Sequence, residues 1–184
     1  MTFPRRGFTL VSRVDEGYIV DLPAAASTNQ PLAIGDAVTL LNGTVIPATA
    51  GQDPTNPGFG VIMEVLTTAG LPLTGREVKY IASGGVGRVR VNTDPTAEYV
   101  VRLTSSAGQS VIGKNVFIDV SAANAVTGLS GQAVTQASAS INDLFKVIDW
   151  YGGERIGGVD PIGSNLGVVV RWNRHINRAG TASA

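Results

Sequence analysis

Gly108-Gln-Ser-Val-Ile-Gly113-Lys114-Asn115 comes within one residue of a phosphate-binding loop. That motif needs a Ser or Thr hydroxyl after the Lys, for Mg²⁺, and a following helix whose N-terminus faces the phosphates. Asn115 stands where the hydroxyl belongs, and Val116-Phe-Ile-Asp-Val120 alternates like a strand. The glycines read as a loop, and nucleotide binding is not expected. Gly84-Gly85-Val86-Gly87 and Gly152-Gly153 likewise read as turns, since neither completes a dinucleotide fingerprint. His175 is the single histidine, so a Ser–His–Asp arrangement would have to use it. It lies in a basic tail, and no Gly-x-Ser-x-Gly elbow accompanies it, so it is expected at the surface. With no cysteine, thiolate ligands and disulfides are excluded. The acids are dispersed, and Asp15-Glu16 is their one adjacent pair. Neither a zinc site nor an acid–base carboxylate pair can be nominated. Asn42-Gly43-Thr44 fits the N-glycosylation pattern, but with no apolar leader in MTFPRRGF it reads as a turn. The expectation is a chain without catalytic, cofactor or metal residues, and not an enzyme.

The charged residues that stand out are arginines at the two ends. The chain has 14 basic and 14 acidic residues. Arg5, Arg6 and Arg13 precede or begin the first strand with no acid among them; Arg171, Arg174 and Arg178 close or follow the last, with His175 beside them. The stretch between holds every acid and a balance of −6. These six arginines are the candidate contacts to other subunits, because a planar guanidinium makes paired hydrogen bonds to carboxylates. They are not interleaved with aromatics, so nucleic acid is not expected as a partner. No apolar run approaches the roughly 18–20 residues that span a bilayer, so a membrane is not expected either.

The elements that would carry these residues are strands. Asn42-Gly43 sits between Ala37–Leu41 and Thr44–Ile46, which favours a two-residue type I′ hairpin with both turn residues at positive φ. Pro47 should end its second strand or sit at an edge, and Phe59–Leu66 should return. Phe8–Arg13 and Tyr18–Leu22 are expected to pair around Asp15-Glu16-Gly17, and Arg76–Ala82 with Val86–Val91 around Ser83-Gly84-Gly85. Alternation puts Val89, Val91, Tyr99, Val101 and Leu103 inward, and Arg88, Arg90, Glu98, Val100 and Arg102 outward. Glu98 could then pair with Arg88 or Arg90. Asn115–Val120, Leu144–Tyr151 and Gly167–Asn173 read as further strands, while Ser121–Ser140, rich in Ala and Ser, reads as a surface excursion. No internal repeat is expected.

The sum is an all-β fold of about eleven short strands, a barrel or sandwich with little helix and long Gly/Pro/Ser-rich loops. Residues 1–13 would form a basic arm and first strand, 14–173 a β domain with a division into two lobes near 92–97 left open, and 174–184 a tail. The stretch IGDAVTLLNGTVIPA followed by GFGVIMEV resembles the head decoration, or capsid cement, proteins of tailed bacteriophages. LFKVIDWYGG through NLGVVVRWNRH is similar to the closing strands of phage head proteins. The resemblance implies a β-barrel or β-tulip fold and a virion structural protein, assembled in the host cytoplasm and carried on the capsid exterior. It would stabilise the shell as a homotrimer bridging capsomers, with the major capsid protein and itself as partners. A phage tail tube or minor head protein is the near alternative. A carbohydrate-binding β-sandwich is the distant one, and it would want Trp150 or Trp172 exposed.

Overall fold

The computed structural model describes residues 7–12, 16–49, 57–66, 80–105, 109–120, 129–138, 140–151 and 166–177. Among these it contains thirteen strands: β1 Thr9–Leu10, β2 Ile19–Ala25, β3 Leu32–Ala33, β4 Ala37–Leu41, β5 Thr44–Pro47, β6 Gly60–Leu66, β7 Tyr80–Ile81, β8 Val86–Asn92, β9 Glu98–Leu103, β10 Asn115–Asp119, β11 Ala133–Ser138, β12 Phe145–Trp150 and β13 Leu166–Trp172. Two short 3₁₀ turns, Glu16–Tyr18 and Gln109–Val111, are the only helical pieces described. The fold is all-β.

Strands β2-β5-β4-β6-β8 close into a barrel. Its interior is filled by Val38, Val45, Ile62, Val89 and Val91, with Leu32 of β3 and Ile81 of β7 packed against them. The Asn42-Gly43 turn between β4 and β5 has φ 49° and 78°, and Leu41 faces Thr44, as a type I′ link requires. No atom would crowd a Cβ at Gly43, so only the backbone restricts the position. Gly43→Val is expected to cost about 1–2 kcal/mol through left-handed strain alone. A thermal melt that leaves Gly43→Val level with wild type would contradict this.

The second sheet also closes. β9 pairs with β11, β11 with β10, β10 with β12, β12 with β13, and β13 returns to β9; β1 adds to the free part of the β9 edge. The two rings have one topology. In each, the first strand runs parallel to the third, and the other neighbours are antiparallel in the order third, second, fourth, fifth, first. Their registers coincide at matching positions, apart from a one-residue slip between Val116 and Phe117 that the β4–β5 ladder lacks. Ala24 faces Val45 as Leu103 faces Val134; Leu40 faces Val45 as Ile118 faces Val134; Val38 faces Gly60 as Val116 faces Phe145. The fourth strand of each ring bulges at the same point, between Ile62 and Glu64 and between Val147 and Asp149. The expectation of no internal repeat is therefore overturned at the level of structure: the first ring ends at Asn92 and its copy begins at Glu98.

Several pairings differ from those expected. β1 pairs with β9 and not with β2, because the buried Phe8 ahead of it is held on the second barrel by a 4.5 Å stack on Phe145. β7 pairs with β3, while β8 is claimed on both edges by β2 and β6. The Ala/Ser-rich stretch contains β11, which closes the second ring. Val100 is buried on its outward face, flanked in register by Thr9 and Val169. Arg90 makes a two-pronged bond with Asp21 at 2.8 and 2.9 Å and reaches Glu64 at 2.8 Å, whereas Glu98 faces Arg171.

Candidate functional site: the seam between the barrels

The first three residues of β4 and of β6 are buried on both faces. Val38 and Ile62 fill the first barrel, while Ala37 and Val61 belong to the apolar cluster of the second. An aromatic column crosses that cluster. Phe8 stacks on Phe145, and Phe145 on Trp172 at 4.2 Å; Tyr99 meets Phe8 and Trp172 edge-on at 6.3 and 6.5 Å. Trp172 lies against Gly58, where any Cβ would overlap the indole, so the close approach requires glycine.

Main-chain bonds lace both sides of the seam. On one side Gly58 bridges His175: its N–H donates to the Arg174 carbonyl, and its own carbonyl accepts from the Ile176 N–H at 2.8 Å. His175 is 2% exposed, which corrects its expected surface position. Its Nδ1 accepts the Asn177 N–H at 3.2 Å, so Nε2 carries the ring proton and donates it to the Phe59 carbonyl at 2.6 Å. Burial holds the imidazole below its ordinary pKa, against the Phe59 carbonyl and the Asp94 charge. A neutral ring with both nitrogens bound to main chain is a strut between barrels.

On the other side the end of the β10–β11 connection reaches across. Leu129 bridges Ile34, and the Ser130 N–H donates to the Ile34 carbonyl at 3.0 Å. The Gln132 amide spans Ala37, accepting its N–H at 2.8 Å and donating to its carbonyl at 3.3 Å. Asp36 is buried beside them and accepts the Ala33 N–H at 2.7 Å. Burial pushes its carboxyl up to about 7, although the Ser130 hydroxyl and the Ala33 N–H favour the charge. Nothing in the sequence marked Asp36 or Gln132. A polar residue beside a glycine and a short strand is ordinary, and only the docked second barrel takes the water away.

The expected contact arginines fall in two groups. Arg5, Arg6, Arg13 and Arg178 lie outside the described residues. Arg171 is on β13 between Glu98 of β9 and Lys146 of β12, and Arg174 follows three residues later where its backbone joins the seam. Both are half-buried at one end of the second barrel. Trp150 and Trp172 are buried, so neither offers an aromatic platform to a sugar. The glycine-rich stretch before Lys114 leads into β10 and not into a helix. Among the described residues no three His, Asp or Glu side chains gather to hold a metal ion, and no helix is long and apolar enough to cross a membrane. The chain matches no protein-family model and no curated protein.

Proposed function

We propose that this chain is a virion structural protein that decorates and stabilises an assembled phage capsid as a homo-oligomer bridging capsomers. The observation that carries the reading is the mechanical character of the molecule: two closed barrels fixed to each other by a buried seam. Closed rings offer no free strand edges for uncontrolled pairing. A seam held by paired main-chain bonds, a buried amide and a buried imidazole keeps two outer surfaces at a set distance, which a bridging element needs. The stretches IGDAVTLLNGTVIPA and NLGVVVRWNRH, which carry the phage resemblance, include β4, β5 and β13 of that same framework. In this reading the protein works by contact area and not by catalysis. Its partners are the major capsid protein and other copies of itself on the capsid exterior.

Cosedimentation with assembled, undecorated capsids tests the reading. Wild-type protein is expected to saturate the shell, and binding should weaken with salt, because exposed charge pairs are screened within about 10 Å at 0.1 M. Arg171→Ala with Arg174→Ala should lower affinity while leaving the melting temperature within a few degrees. Protein that stays in the supernatant at every salt concentration would sink the proposal.

A further inference from the structure

The duplicated barrels share one corner in detail. In the first barrel, Gly35 at φ 87° donates its N–H to the Ile62 carbonyl at 2.9 Å; in the second, Gly113 at φ 81° donates to Val147 at 2.9 Å. Asp36 N–H reaches Ala33 and Lys114 N–H reaches Val111, at 3.1 and 3.0 Å. Ile62 N–H returns to Asp36 and Val147 N–H to Lys114, both at 2.9 Å. The sequences are Ile34-Gly-Asp-Ala-Val38 and Ile112-Gly-Lys-Asn-Val116.

The corners differ in what covers them. The Ile34 carbonyl accepts from Ser130, and the Gly35 carbonyl from Phe8 at 2.9 Å. Among the described residues no N–H donates to the carbonyls of Ile112 or Gly113, and Ile112 is 36% exposed. The cover on the Ile34 carbonyl comes from the β10–β11 connection of the second barrel, and that on the Gly35 carbonyl from the residue ahead of β1. The counterpart of that connection in the first barrel is the β4–β5 hairpin, where Leu41 is 50% exposed beside the Asn42-Gly43 turn. One contact of the repeat is thus made inside the chain. Its two remaining halves, a hairpin on one barrel and a corner on the other, are left without such a partner among the described residues.

We infer that a second copy of this chain closes them: the Leu41–Thr44 hairpin of one copy docks on the Ile112–Gly113 corner of the next. This rests on the reading of the protein as a homo-oligomer and names the surface it uses. Leu41 covers Ile112, and the Asn42 and Gly43 N–H groups, which a two-residue turn leaves outside its ladder, face the two carbonyls. The contact joins unlike surfaces, so it repeats head to tail until the rotation closes a ring. Around such a ring first and second barrels alternate, each seated on the next by the same kind of contact.

The chain has no cysteine, so single thiols can be placed cleanly. Leu41→Cys protein mixed with Ile112→Cys protein, under mild oxidation, is expected to give a mixed covalent dimer that neither variant gives alone. The double variant should give a ladder that stops at a closed ring. Leu41→Asp should weaken association in light scattering about tenfold or more, because it buries a carboxylate against Ile112, and Leu41→Ile should restore it. Wild type that is multimeric while the mixture forms no mixed dimer would overturn the inference, as would wild type that is monomeric at all concentrations and on capsids. Cross-linking without capsid binding would keep this surface and end the decoration reading; multimers that bind capsids without the cross-link would do the reverse.

Discussion

Trp172→Ala is expected to destabilise the protein by about 3–5 kcal/mol, the cost of emptying a buried aromatic site that cannot collapse. The indole is fully buried, stacked on Phe145, edge-on to Tyr99 and His175, and pressed against the Gly58 backbone. Phe145 and Tyr99 belong to a closed ring, so they cannot move inward to fill the void without giving up ladder bonds. Denaturant unfolding should show a lower midpoint with an unchanged slope if the two barrels unfold together. Trp172→Phe should recover part of the loss, because the stack survives and only the outer ring goes. A cost below about 1 kcal/mol would mean that the column is not the centre of the seam.

Asp36 should give the protein a marked pH dependence on the neutral side. Its carboxyl is raised from 3.8 to about 7 by burial, so between those values the folded state holds a proton that the unfolded chain has released. The stabilisation is complete below the unfolded value and is lost as pH rises through about 7. At roughly 1.4 kcal/mol per unit the full span is about 4 kcal/mol. Asp36→Asn keeps an acceptor for the Ala33 N–H and removes the charge. It should flatten the neutral limb and leave the variant more stable than wild type at pH 8. The acid limb should remain, because His175 acts in the opposite sense. Its lowered value gives stability that is present above about 6.5 and is lost as pH falls through the folded value. Urea midpoints for both proteins from pH 4 to 9 check this; superimposable profiles would contradict it.

What the sequence disclosed follows the range of the forces involved. The Asn42-Gly43 hairpin, the end of β5 at Pro47 and the strands around Val91 and Val170 were legible because turn chemistry and period-two alternation are local. Pairings that depend on distant strands were not. β1 prefers β9 because Phe8 is buried there, and β11 has only Val134 as a large apolar residue, so its alternation is nearly silent. The duplication left one readable trace, Ile-Gly-x-x-Val at 34 and again at 112, which shares no charge or size at the x positions. The second copy also looked like part of a phosphate loop, when its glycine serves the same left-handed corner as Gly35. His175 and Asp36 were illegible as buried groups for a simpler reason: the partner that buries each is the other barrel.

If the molecule stabilises a shell by bridging it, as proposed, decoration raises the temperature at which capsids rupture. Capsids saturated with the wild-type protein should release their contents at a higher temperature than undecorated ones. The gain should grow with occupancy and fall away for the Leu41→Asp variant. Saturated capsids that rupture at the same temperature as bare ones would rule out a stabilising role for the protein.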